Sequence, residues 1–127
     1  MIIGVGIDLV EVERVRDLLA RRGERAVARL FTEGEAAYAA GCADPAPRFA
    51  ARLAAKEAAF KALAGNALAR GIGWRELEVV SLGSAPPILR FHGAAERRAA
   101  ELAVSRAWLT ITHERMAAAA VVVLERD

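Results

Sequence analysis

The stretch Ile2 to Leu9 leaves this 127-residue chain the least structural freedom. On a strand, Ile3, Val5, Ile7 and Leu9 share one face, and Gly4, Gly6 and Asp8 share the other. The second face has almost no side chains until Asp8. Glycine weakens a strand interior and marks the close approach of another backbone or of a ligand. Whatever covers this strand must therefore nearly touch its main chain, and Asp8 stands at the open end of a shallow surface.

The length and a hydrophobic content of 55% suit one domain over residues 1–127, with a substantial but not large core. The formal net charge is only +2, yet Arg14, Arg16, Arg21, Arg22, Arg25 and Arg29 crowd one early stretch. That basic face could meet nucleic acid, anionic lipid or an acidic protein. A single cysteine, Cys42, excludes an internal disulfide and a thiolate-rich metal site. The chain starts without a basic leader, and its longest uncharged apolar run, Met116 to Leu124, falls far short of the ~20 residues needed to span a bilayer. The expectation is a soluble cytoplasmic protein with no membrane role.

Apolar spacing predicts a helix from about Val10, with Val12, Val15 and Leu19 inward and a bend at Gly23. Thr32 and Glu35 have capping-box spacing before a short second helix. Pro45 and Pro47 mark a loop, and a long alanine-rich helix runs from about Arg48 to Ala64 with a core stripe of Phe49, Leu53, Phe60 and Leu63. A loop with Gly65, Gly71 and Gly73 follows. Leu77 to Leu82 and Ile88 to Phe91 predict a hairpin, Ala94 to Ala103 a helix, and Trp108 to His113 with Ala118 to Leu124 two closing strands.

The only lysines, Lys56 and Lys61, flank Glu57 inside the long helix, while every other basic side chain is arginine. Lysine is a compact charge that can give up a proton, so two of them beside one carboxylate suggest a reactive site. The bland alternative is a Glu57–Lys61 surface pair at i,i+4, worth ~0.2–0.5 kcal/mol. Joined to Asp8, the balance shifts, because two carboxylates from different elements can hold Mg²⁺, which keeps several waters and takes substrate phosphates as further ligands. Lys61 would then face a phosphate oxygen.

The segments Gly6-Ile7-Asp8-Leu9-Val10-Glu11-Val12-Glu13-Arg14 and Arg52-Leu53-Ala54-Ala55-Lys56-Glu57-Ala58-Ala59-Phe60-Lys61-Ala62-Leu63 resemble the two signature blocks of the holo-acyl-carrier-protein synthase family, the small bacterial 4′-phosphopantetheinyl transferases. The resemblance continues through Gly71 to Trp74, Pro87 to Leu89, His92-Gly93 and Thr110 to Glu114, nearly the whole chain in order. It implies an α/β (α+β) fold with a long helix packed on a small, mainly antiparallel sheet, and transfer of the phosphopantetheine arm of coenzyme A to a serine of apo acyl carrier protein. It also implies Mg²⁺ on Asp8 and Glu57, with Lys61 assisting the leaving phosphate, and coenzyme A contacts from Arg48, Arg52, Lys56, Lys61, Gly65 and His113. His92 more simply serves a turn.

Under that resemblance Arg14, Arg21, Arg22 and Arg25 become a docking stripe for an acidic carrier protein. A basic stripe without interleaved aromatics is a poor platform for single-stranded nucleic acid, so protein ranks above nucleic acid as the partner. The family further implies a homotrimer with active sites between neighbours. The glycine face of the first strand and the apolar last strand suit such packing, or equally the core of one chain. Two departures stand out: Gly65-Asn66-Ala67 replaces a Gly-Thr-Gly-like loop, and Trp108 stands where a histidine is frequent. The competing class is a non-catalytic docking module for an acidic protein, which leaves Asp8, Glu57 and Lys61 unexplained.

Overall fold

An alanine-rich helix forms the centre of the fold. The computed structural model describes all of residues 1–127. In chain order it contains β1 (Ile2–Glu11), α1 (Val12–Leu30), α2 (Glu33–Ala40), the central α3 (Ala46–Leu63), α4 (Ala67–Arg70), a 3-10 turn (Trp74–Glu76), β2 (Leu77–Val80), β3 (Ile88–Phe91), α5 (Gly93–Glu101), β4 (Arg106–His113) and β5 (Ala117–Glu125).

From Phe49 to Ala59 every α3 residue except Glu57 is buried, as expected of a helix covered on all sides. Its alanines let β1 approach until backbone meets backbone. A Cβ added to Gly4 would overlap the Ala62 carbonyl, and one added to Gly6 would overlap that of Ala58. The glycine face is therefore consumed within the chain. The usual alternation is inverted as a result, since Val5, Ile7 and Leu9 on the other face are 58%, 62% and 67% exposed.

The single small sheet expected from the strand pattern is two sheets, one ordered β1-β5-β4 and one β2-β3, with every pair antiparallel. Alternation identifies strands but carries no information about which edges join, and the short hairpin closes only on itself. On β5, Ala118, Ala120, Val122 and Leu124 face α3, where the small residues leave room for the helix.

The expected bend in α1 is present: Gly23 adopts φ 49° and ψ −126°. Nothing lies within 4 Å of a Cβ placed there, so conformation rather than crowding favours glycine. The Thr32–Glu35 capping box forms as read. The helix α3 starts at Ala46 rather than near Arg48, because Pro47 occupies its first turn, where a missing N–H costs no hydrogen bond. The glycine-rich segment read as loop also contains α4, nucleated when Asn66 Oδ1 accepts from Ala69 N at 2.9 Å.

Candidate active site

The glycine track delivers Asp8 to Glu57. Gly4 lies over Ala62 and Gly6 over Ala58, so the next inward residue of β1 reaches the preceding turn of α3. There the Asp8 and Glu57 carboxyls come close enough for each to shift the protonation of the other. Lys61 Nζ donates to Asp8 Oδ1 at 3.1 Å and to the Ile7 carbonyl at 2.8 Å. Its donors thus tie helix to strand, and the simple i,i+4 pairing with Glu57 is not what forms.

Charge in this cluster is unevenly held. Burial raises the Glu57 carboxyl, and the nearby Asp8 carboxyl and its charge add to the effect, bringing it to about 7. Burial also raises the Asp8 carboxyl, but the nearby Glu57 carboxyl and the Lys61 hydrogen bond, together with the Lys61 and Arg14 charges, outweigh it and leave Asp8 below its usual value. Arg14, assigned from sequence to partner docking alone, therefore also acts on the carboxylates.

Asp8 Oδ2 is buried without a hydrogen-bond partner. A buried carboxylate oxygen left bare asks for a cation. No group of three or more His, Cys, Asp and Glu side chains in the chain is arranged to hold a metal ion by itself. Two carboxylates suit Mg²⁺, which takes one or two protein ligands and completes its shell from waters and phosphates. The donor set therefore fits the metal expected on Asp8 and Glu57.

Lys56 departs from its expected place at coenzyme A. It is 0% exposed, its ammonium 2.7 Å from Glu35 and donating to the carbonyls of Trp74 at 2.9 Å and Leu77 at 2.6 Å. Glu35 is completed by Thr32 N at 2.8 Å and Val79 N at 2.9 Å. Lys56 therefore fastens α2, α3 and β2 together and has no donor left for a ligand. Glu57 directly follows Lys56, and about 100° of helix rotation between them turns one toward the site and the other into the core.

Arg48, Arg52 and His113 meet elsewhere, in a cleft of about 430 Å³ that also takes in Tyr38, Ser81 and Pro87. None of Asp8, Glu57 and Lys61 lines it. Tyr38 and Ser81 carried no signal in the sequence, because their roles depend on what α2 and β2 lie against. Gly65 leaves α3 with φ 134°, close to the Arg98 guanidinium. His92 precedes α5 and pairs with Glu78 at 3.0 Å, as suits a turn residue. The expected docking stripe is not one surface: Arg22, Arg25 and Arg29, on both sides of the Gly23 bend, surround an open cleft with Leu18 and Trp74, and Arg14 and Arg21 do not line it.

Similarity to known proteins agrees with this geometry. A profile of the 4′-phosphopantetheinyl transferase superfamily matches residues 4–121. The holo-[acyl-carrier-protein] synthase of Solibacter usitatus (strain Ellin6076) is 42% identical over 125 residues, covering 98% of this chain and 99% of that protein. That of Anaeromyxobacter sp. (strain K) is 46% identical over 128 residues, covering 98% and 97%. Among solved structures, holo-[acyl-carrier-protein] synthase from Neisseria meningitidis superposes with a TM-score of 0.86 at 26% identity, covering 99% of this chain and 100% of the other. The Bacillus anthracis enzyme, solved with CoA (3′,5′-ADP), superposes at 0.79 with 30% identity, covering 100% and 99%. With its carboxylate pair in place and these likenesses spanning its length, the chain belongs to the 4′-phosphopantetheinyl transferase superfamily and, within it, to the holo-[acyl-carrier-protein] synthases.

Proposed function

We propose that this enzyme moves the 4′-phosphopantetheine arm of coenzyme A onto a serine of apo acyl carrier protein. The serine Oγ forms a bond to the phosphorus that bears pantetheine, and the pyrophosphate P–O bond breaks. Adenosine 3′,5′-bisphosphate leaves with the bond's electron pair, and the serine proton passes to a carboxylate or water. The observation that carries this reading is the Asp8–Glu57–Lys61 cluster, with one Asp8 oxygen buried and unpartnered.

In this reading Asp8 and Glu57 hold Mg²⁺, which when bound neutralises charge on the pyrophosphate. Lys61, anchored by Asp8 and Ile7, presents its ammonium to the departing phosphate. Arg48, Arg52 and His113 grip the nucleotide phosphates in their cleft. Arg14, Arg21, Arg22 and Arg25 meet an acidic carrier protein, and we place the reaction in the cytoplasm.

The enzyme works as a homotrimer, with the carboxylate cluster of one copy facing the arginine cleft of the next. Supporting this, the two clusters do not share a cavity, and the outer sheet face is both apolar and open. Val5, Val123 and Trp108 form one cross-strand row on that face, with Ile7 and Val121 in the next. Incubating the protein with coenzyme A, Mg²⁺ and apo acyl carrier protein, followed by intact mass measurement, tests the proposal. The expected result is a gain of one phosphopantetheine, lost in Asp8→Ala and Glu57→Ala; no gain with the unsubstituted protein overturns it.

A further inference from the structure

The arginine cleft contains a cation with no counterion. Arg52 is 4% exposed, yet no carboxylate of the chain forms an ion pair with it. Its guanidinium donates to Ser81 Oγ at 2.6 Å and makes a long contact with the Arg48 carbonyl at 3.5 Å, while its Nε has no partner. The nearby Glu35 is fully buried and already committed to Lys56. Buried charges are ordinarily paired, so this one is reserved for an anion that arrives from outside.

Two guanidiniums one turn apart on α3 repel each other, and something must hold both in the same cleft. The Tyr38 ring does so. The Arg52 guanidinium lies 4.0 Å from its centroid and that of Arg48 4.7 Å, within the range of cation–π attraction. The Tyr38 carbonyl also accepts from Arg48 Nη1 at 3.0 Å. Tyr38 belongs to α2, which the Thr32–Glu35 capping box and the Glu35–Lys56 pair fasten to the core. The helix that carries the ring under the two arginines is therefore tied to the core before any ligand binds.

We propose that Tyr38 and Ser81 are positioning residues: they hold Arg48 and Arg52 as a preformed clamp for a phosphate of coenzyme A. This rests on reading the cleft as the phosphate end of the coenzyme A site. Neither residue takes part in bond-making. Their effect falls on coenzyme A capture, through the orientation and spacing of the two guanidiniums.

The test compares Tyr38→Leu, Tyr38→Phe and Ser81→Ala with the unsubstituted protein. Each is assayed for transfer kinetics, for calorimetric binding of coenzyme A and of adenosine 3′,5′-bisphosphate, and for thermal unfolding. Tyr38→Leu is expected to raise the KM and Kd for coenzyme A about tenfold, with kcat within about twofold and an unchanged melting midpoint. Tyr38→Phe, which keeps the ring face, restores binding, and Ser81→Ala weakens it in the same sense. Unchanged affinity in both Tyr38→Leu and Ser81→Ala overturns the positioning role while leaving the transferase reading intact. So does a Phe variant as weak as Leu. An unsubstituted protein that binds neither nucleotide overturns the clamp and the coenzyme A reading together. If Tyr38→Leu does not fold, Tyr38→Phe and Ser81→Ala decide the matter.

Discussion

At the scale of single residues, the Asp8–Glu57 pair links binding of a cation to protons. Glu57 titrates near 7 in the folded chain against an ordinary value of 4.5. A raised carboxyl stabilises the fold while it is protonated, so its contribution is complete below about 4.5 and disappears as the pH rises through about 7. Without divalent cation, the thermal midpoint should therefore lose stability across that window, and Glu57→Gln should flatten the slope. The lowered Asp8, Glu76 and Glu78 groups act in the opposite sense and at more acid pH, which separates the two effects. Lys61 offers a kinetic counterpart. Replacing it with Met should reduce kcat by about 10²-fold, the scale for removing one donor aimed at developing charge, and rapid-quench mass analysis would read this. Lys56→Met should instead act on stability, costing ~3–5 kcal/mol in urea unfolding, because it leaves Glu35 buried without its counterion.

At the scale of elements, the contact between β1 and α3 sets where the site can be. Gly6 is placed so that even one methyl group would push strand and helix apart. Gly6→Ala should cost ~1–3 kcal/mol or more by overpacking, and should lower activity as well, because Asp8 and Glu57 separate when the elements do. A Gly6→Ala protein that unfolds at the same denaturant concentration as its parent would contradict this packing. The helix α1 likewise carries two separate groups of arginines. Arg14 sits within the electrostatic reach of Asp8 and Glu57, whereas Arg22, Arg25 and Arg29 gather near Trp74. Arg25→Glu should raise the KM for acyl carrier protein, and more so at low salt, with the KM for coenzyme A unmoved.

At the scale of the whole molecule, the open outer sheet face is what one chain leaves unfinished. A row of Val5, Ile7 and Leu9 at 58–67% exposure, flanked by Trp108 at 53%, is a patch that soluble monomers seldom leave bare. Ile7→Glu should convert the proposed homotrimer to monomers in light scattering, and activity should fall with it if two copies build each site. Several features were legible in the sequence: the strands and the helices other than α4 and the 3-10 turn, the Gly23 bend, the capping box, and Asp8, Glu57 and Lys61 as one group. All of these rest on local periodicity or on the chemistry of side-chain types, which neighbouring residues carry between them. The tertiary structure alone decided the rest. It turned the glycine face inward onto α3, split the strands into two sheets, buried Lys56 beneath Glu35, and set Tyr38 under Arg48 and Arg52. Each of these depends on which distant element lies opposite. The same glycines could have met a second copy, and the same lysine could have met a phosphate. Long-range packing settled both, because the small α3 alanines let β1 come to backbone contact while the step of about 100° from Glu57 carried Lys56 into the core.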